Sequence, residues 1–288
     1  MKTYFHKVSN PIQRSFVVRH DIVPNFGKPV HYHTELELHL TLRGEGIRFI
    51  GDNVAAFSPG EILLLGEDLP HAWHAREKEV PDVEAIVIQF KKGCLGNDFF
   101  SLPELLHIQQ LYDIAKKGLL LHGTCRDKVE VLMHQGVDAT DFQRVLLLLE
   151  MLNLIAVSKE YTTVSATEVS YKGDAEDVRR LDKIYAYTLA NFKEEITLSE
   201  IAAVAHLSET SFCRYFKSTT RNTYFDFLIQ VRVNFACQMI VEDKYSIAAI
   251  CYECGFNNVS NFYRHFKKVM GMTPAEYKKK YVTDDAAA

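Results

Sequence analysis

Phe212-Cys213-Arg214-Tyr215-Phe216-Lys217 returns fifty residues later as Phe262-Tyr263-Arg264-His265-Phe266-Lys267, the same F-x-R-x-F-K string. Repetition at a fixed spacing marks one supersecondary unit used twice. Each copy follows a short segment of helical period and a turn: Leu198 to Ala205 then His206-Leu207-Ser208, and Ile247 to Cys254 then Gly255-Phe256-Asn257-Asn258. A short helix, a tight turn and a second helix opened by a capping residue make a helix-turn-helix, and Ser208 and Asn257 or Asn258 are suitable caps. Helical residues four apart lie about 40° apart around the axis, so Phe212 and Phe216 share the core side. Thr210, Arg214 and Lys217 fall on the opposite side with Cys213 at its edge; in the second copy Ser260, Arg264 and Lys267 do so, flanked by Tyr263. Each outward face thus offers a bidentate donor suited to guanine, a small polar residue for base edges and a lysine for phosphate. One copy alone would equally describe an amphipathic helix with a solvated basic side; two copies in matched turn contexts favour DNA reading. A helix over Tyr224 to Val241 is predicted between them as a rigid spacer. Two reading helices on one chain can enter successive major grooves about 34 Å apart.

Charge supports that assignment. Residues 1–178 hold 18 Lys and Arg against 25 Asp and Glu, a net of -7, whereas residues 179–282 hold 15 against 10, a net of +5. Only the C-terminal part is expected to meet a polyanion. The whole chain has 288 residues, 47% hydrophobic and 24% charged. That is an ordinary globular composition, which excludes collagen-like, disordered and mini-protein classes and leaves room for two domains. No apolar run is long enough to span a bilayer, and Met1 to His6 lacks a secretory pattern, so the cytoplasm is the expected compartment. Six scattered cysteines then read as thiols. Cys251-Tyr252-Glu253-Cys254 lacks the second ligand pair a zinc site needs, and is expected to be two small packed thiols.

The N-terminal part has a different rhythm. Phe16-Val18, Glu35-Leu40, Ile47-Ile50, Glu61-Leu65 and Val83-Ile88 read as short strands separated by Arg43-Gly44-Glu45-Gly46, Gly51-Asp52-Asn53 and Ser58-Pro59-Gly60. That pattern belongs to a small barrel or sandwich. From 103 the period becomes helical. In the stretch Thr140 to Glu160, Phe142, Val145, Leu146, Leu149, Leu152 and Ile155 form an apolar stripe widened by Leu147, Leu148, Met151 and Leu154. A helix apolar over so much of its circumference is either deeply buried or shared with a partner chain. The polar stretch 161–178 reads as a linker. The expected organisation is therefore a multidomain α+β chain: 1–100 a small β-barrel, 101–160 a helical segment suited to dimerisation, 161–178 a linker, and 179–282 an all-α domain with two helix-turn-helix motifs.

Residues 181–282 resemble the DNA-binding domain of AraC/XylS-type transcription regulators. The match runs through Leu198-Ser199-Glu200-Ile201-Ala202, Leu207-Ser208, Phe212 to Lys217, Arg232 with Ala236, Ile247 and Ile250, Gly255-Phe256, Phe262 to Lys268, and Gly271-Met272-Thr273-Pro274. The resemblance implies recognition helices over Glu209 to Lys217 and Val259 to Lys268, with base contacts from Thr210, Cys213 and Arg214 in the first and from Ser260, Asn261 and Arg264 in the second. Ser208, Ser211, Lys217, Asn258, Tyr263, Lys267 and Lys268 complete the expected DNA-facing set. Two positions depart from the pattern: Arg221 and His206 stand where glycine is usual.

His31-Tyr32-His33-Thr34-Glu35-Leu36-Glu37, followed by six residues and Gly44, has the spacing HxHxxxE(x6)G. On a strand, His31, His33, Glu35, Glu37 and His39 would share one face, which in a barrel is its interior. With His71 they give three histidines and a carboxylate, a set that can hold zinc, iron, nickel or manganese. The region resembles a cupin barrel, the sensory domain preceding the DNA-binding domain in many AraC/XylS-type regulators, in which His31, His33, Glu37 and His71 would be the metal ligands. Three readings stand beside one another here: an effector pocket lined by His31, His33, Glu35, Glu37, His71 and Trp73; a divalent transition metal; and histidines satisfied within the barrel. Trp73 can stack on a sugar ring or serve as ordinary core. The resemblance further implies an effector-controlled regulator, a homodimer, and RNA polymerase as a partner if it activates, which is the commoner outcome in that family. The rival from another class is a metal-dependent cupin enzyme fused to a DNA-binding module; a third reading is an architectural DNA binder whose barrel only dimerises.

Overall fold

A computed structural model describes residues 15–23, 30–75, 83–96, 98–168 and 175–282. The chain divides into two compact units, one running up to Val178 and the other from Arg179 on, except that Val54–Ala56 group with the second. The described residues contain nine strands: β1 (Phe16–Val23), β2 (Leu36–Arg43), β3 (Gly46–Ile50), β4 (Asn53–Phe57), β5 (Ile62–Leu65), β6 (His71–Ala75), β7 (Val83–Phe90), β8 (Leu119–Leu121) and β9 (Tyr161–Thr163). They form a six-stranded sheet in the order β1-β7-β2-β5-β8-β9 and a three-stranded sheet in the order β4-β3-β6.

Alternation along these strands sorts the side chains to two faces. Leu36, Leu38 and Leu40 of β2, Ile62 and Leu64 of β5, and Ile86, Ile88 and Phe90 of β7 share one face and pack in a single core with α1 (Leu106–Ala115), α2 (Gly123–Asp138) and α3 (Asp141–Ser158). The residues in between point the other way. Glu37 lies opposite Leu65 and Gln89, His39 opposite Leu63 and Val87, and on the smaller sheet Arg48 opposite Trp73. Both faces are buried, which is why β2 contains so little exposed surface.

Four strands lay outside the sequence reading. β4 and β6 carry no apolar alternation, and β6 is the His71-Trp73 segment itself. β8 and β9 have three residues each, too few for a period to show, and each is held by the other through Leu119↔Thr163 and Leu121↔Tyr161. β9 lies inside the stretch expected to be linker. Beyond it Ser165 is buried, and the Asp52 carboxylate accepts hydrogen bonds from Ser165 Oγ at 2.7 Å and the Ala166 amide at 3.0 Å. The far end of that stretch is also structured, since α4 (Ala175–Asn191) begins there; residues 169–174 lie outside the described residues. The helical segment after residue 100 shares its core with the sheet and is not a separate body.

α3 has two apolar sides. Leu147, Leu148, Met151, Leu152 and Ile155 are buried, whereas Phe142 is 72% exposed, Leu146 47% and Val157 65%. Phe142 and Leu146, read from sequence as part of one stripe, therefore belong to the outer side.

From α4 onward the described residues of the second unit are helical: α4, α5 (Leu198–Val204), α6 (Glu209–Thr220), α7 (Tyr224–Glu242), α8 (Ile247–Glu253), α9 (Val259–Met270) and α10 (Pro274–Val282). The starts of α5 to α9 carry their signals. Thr197 and Glu200 form a capping box on α5, while Ser208, Thr223, Ser246 and Asn258 accept the first free amides of α6, α7, α8 and α9. Asn258, not Asn257, is thus the second cap. α7, at 19 residues, is a spacer about 28 Å long. No helix among the described residues is long and apolar enough to cross a membrane.

Candidate functional site

In the barrel interior, the ring nitrogens of His31, His33 and His71 that could bind an ion lie within 4.8 Å of one another. The route to this cluster is not one unbroken strand. His31 makes an isolated bridge with His71, the chain bends at Thr34 and Glu35, and β2 starts only at Leu36. After the bend the Glu35 carboxylate reaches the cluster only at its edge, with Oε2 3.9 Å from His33 Nδ1 and Oε1 3.7 Å from Lys91 Nζ. Glu35 is therefore a peripheral member of the expected set.

Glu37 is the hub. Its Oε2 lies 3.0 Å from His33 Nε2 and accepts from Gln89 Nε2 at 2.6 Å, and its Oε1 lies 3.5 Å from His39 Nδ1. Burial works against the charge, but the hydrogen bonds with His33 and His39 and the nearby imidazoles outweigh it and hold the carboxyl well below its usual range. Burial likewise pulls His33 down, yet the Glu37 hydrogen bond and charge leave its imidazole raised. His71 is different: burial dominates, Glu37 opposes it only in part, and its imidazole falls to about 4. His71 is neutral at physiological pH.

The two rings share one orientation. His33 Nδ1 meets the Glu35 carbonyl at 2.9 Å and His71 Nδ1 the Leu69 carbonyl at 2.7 Å. At His71 an Nδ1-H bonded to a backbone carbonyl fixes the tautomer and presents Nε2 as the free lone pair, whereas His33 Nε2 donates to the Glu37 carboxylate. His71 Nε2 is buried and finds no hydrogen-bond partner among the described residues, and the same holds for Trp73 Nε1 and Thr41 Oγ1. Trp73 stacks on His39 with ring centroids 4.0 Å apart and borders Ile50, Phe57, Leu63, Leu65 and Leu69. Buried polar atoms without partners mark a place where a ligand or water completes the bonding.

Residues the sequence reading did not place extend this interior. Gln89 bridges Glu37 to Arg19, whose Nη1 donates to Gln89 Oε1 at 2.7 Å. Arg48 pairs with Glu61 at 2.9 Å, both nearly buried. The available signal was a polar residue interrupting an apolar strand, Gln89 in Val83–Phe90 and Arg48 in Gly46–Ile50. Which face each took depended on register across strands.

The second unit brings together the other candidate set. Phe212, Phe216, Phe262 and Phe266 are fully buried, and Thr210, Cys213, Arg214, Lys217, Ser260, Arg264, Lys267 and Lys268 are exposed; Ser211, Asn261 and Tyr263 are half-buried. Arg264 Nη2 donates to Asn261 Oδ1 at 2.6 Å, holding two expected base-reading side chains together. Lys268 is engaged within the fold, 3.2 Å from the Asp226 carboxylate of α7. Ser208 and Asn258 spend their side chains on capping. Cys251 and Cys254 are buried, and burial pushes the Cys254 thiol up to about 12, as small packed thiols require.

The turns of the two helix-turn-helix motifs are built alike. In the first, His206 N donates to Ala203 O and Leu207 N to Ala202 O; in the second, Gly255 N donates to Tyr252 O and Phe256 N to Cys251 O. The helix ends also match: Arg221 N donates to Lys217 O and Gly271 N to Lys267 O. The loop after α6 is therefore the same loop despite Arg221.

Comparison with known proteins gives two family matches, an AraC-like ligand binding domain over residues 15–91 and a helix-turn-helix domain over residues 201–280. A Bacillus subtilis (strain 168) protein described as the uncharacterized HTH-type transcriptional regulator YdeC is 23% identical over 262 residues, covering 87% of this chain and 86% of that protein. The HTH-type transcriptional activator RhaR of Mannheimia succiniciproducens is 21% identical over 281 residues, covering 97% of this chain and 96% of that protein. Among solved structures, the DNA-binding domain of the global transcriptional factor AdpA in complex with a target DNA is 28% identical, with a TM-score of 0.36, and the match covers 38% of this chain and 98% of that one.

Proposed function

Because this chain belongs to the AraC/XylS-type transcription regulators, we propose that it is a one-component switch in which a small polar molecule held in the barrel controls how the two helix-turn-helix units engage DNA. It is a DNA-binding regulator with a ligand-binding domain and not an enzyme. The observation that carries the proposal is the pair of matched, capped frames that keep Arg214 with Lys217 and Arg264 with Lys267 on outward faces.

The interior inventory supports an uncharged effector. Glu37 is compensated by His33 and Gln89, and Glu61 by Arg48. What stays unpartnered is a donor on Trp73, an acceptor on His71 and a hydroxyl on Thr41, which suits a hydroxylated molecule such as a sugar. The spacing of His31, His33 and His71 and the free Nε2 of His71 also suit a divalent transition metal on the three histidines with Glu37 beside them. Such an ion would supply a Lewis-acidic point for an effector oxygen. The exposed apolar side of α3 supports a homodimer. Activation through RNA polymerase, in the cytoplasm, is the reading we extend from the relative named an activator.

Genome-wide occupancy of the full-length protein tests the proposal. Discrete sites with two short elements about one helical turn apart are expected; an absence of discrete sites overturns it. Metal assayed on the same preparation separates the effector readings, since one ion per chain that is lost in His71→Ala supports the metal. Within an occupied site, Arg264→Ala is expected to lose about 1 to 3 kcal/mol of specific binding and to relax the preference at one base position. A competition assay against a non-specific duplex measures that loss.

A further inference from the structure

His206 and Arg221 hold left-handed backbone, with φ of 56° and 63°, on either side of α6. The positions matched to them by hydrogen bonding are glycines in the second unit, Gly255 at φ 79° and Gly271 at φ 74°. A side chain in this region costs stability that glycine does not. The fold gives little in return, since both residues are exposed. Arg221 makes no side-chain hydrogen bond or ion pair among the described residues, and His206 meets only Lys183, whose Nζ donates to its Nε2 at 3.4 Å. Retained strain without structural return directs attention to function.

Charge points the same way. α6 carries Arg214 and Lys217 against Glu209, whereas α9 carries Arg264, Lys267 and Lys268 and no acid. The first recognition helix is therefore the poorer in positive charge, and its two flanking strained positions hold a histidine and an arginine. We infer that His206, paired with Lys183, and Arg221 contact the sugar-phosphate backbone of DNA on either side of the first recognition helix. The first helix-turn-helix is anchored from its flanks by these residues, and the second by Lys267 on the helix itself. An imidazole N-H and a guanidinium both donate to phosphate oxygens, and the guanidinium adds a charge that releases counterions.

The inference rests on the DNA-reading function above, and the test separates the two. The probe is the duplex that wild-type full-length protein enriches from a random-sequence pool. His206→Gly with Arg221→Gly removes both side chains while giving the backbone its preferred residue, so the variant is expected to melt at or above the wild-type temperature. Its affinity for that duplex is expected to fall about tenfold, with the slope of log affinity against log salt shallower by about 1. Arg221→Lys, which keeps the charge, is expected to stay within about threefold of wild type. A double variant with wild-type affinity and wild-type salt slope overturns the inference and leaves the DNA-reading function standing. A wild type that enriches no duplex overturns that function, and the inference with it.

Discussion

Phe266→Ala is expected to cost the second helix-turn-helix about 3 to 5 kcal/mol, the range for deleting a buried aromatic ring. The ring is fully buried and sits 5.6 Å from both Phe262 and Tyr277, in a cluster with Val233, Ala236, Ile240, Ile250 and Cys254. That cluster joins α7, α8 and α9, and contacts α10 through Tyr277. Losing the ring leaves a cavity where α9 is held against its supports, so Arg264 and Lys267 lose part of their fixed direction as well. The first helix-turn-helix has its own aromatic cluster, in which Phe216 meets Tyr185, Tyr224 and Phe227. Denaturant unfolding should therefore show a destabilised C-terminal part, and the selected duplex should be bound far more weakly and with preference surviving only in the half read by α6. A loss below about 1 kcal/mol would mean that the site collapses around the deletion and that α9 is positioned by something other than this ring.

This position was legible from the sequence because helical period is local. Phe212 and Phe216, like Phe262 and Phe266, sit one turn apart, and the arginine between them is forced to the other side whatever the surroundings. The turns were nearly as legible, down to the glycine at 255. There a β-carbon would come within 2.6 Å of the Phe192 carbonyl and 2.7 Å of the Lys193 carbonyl, so close backbone approach as well as left-handed φ demands glycine. The barrel was legible in part. Alternation gave the shared face of Glu37 and His39, but the bend at Thr34 and Glu35 broke the count, and Glu35 moved out to Lys91. Gln89, Arg48 and Arg19 became site residues through strand register, which no stretch of sequence contains. The outer exposure of Phe142 and Leu146 was hidden for a related reason: α3 is apolar on both sides, and only the arrival of the sheet on one of them shows which is core.

Truncating the hub of the barrel is the sharpest test of the interior assignment. Glu37→Ala removes the acceptor that His33, Gln89 and His39 share at 3.0, 2.6 and 3.5 Å. His33 then remains almost wholly buried without its carboxylate, with Gln89 Nε2 3.2 Å from its Nε2, and Gln89 keeps Arg19 and His33 as neighbours. Breaking a buried charged pair by removing one member costs about 3 to 5 kcal/mol, because the remaining group keeps its desolvation cost without its compensation. The barrel unit should therefore unfold at markedly lower denaturant concentration, while the second unit, with no residue in this network, keeps its own transition. Glu37→Gln separates shape from charge: the amide fills the same space and can still meet one histidine, so roughly half of the loss should return if hydrogen bonding holds the interior together. If both variants unfold with the wild type, the carboxylate is solvated within the barrel, and the polar interior is an open, water-filled site whose groups owe their order to the effector. If both fall equally far, the negative charge itself holds the three histidines together, which is the outcome that would favour a cation at their centre.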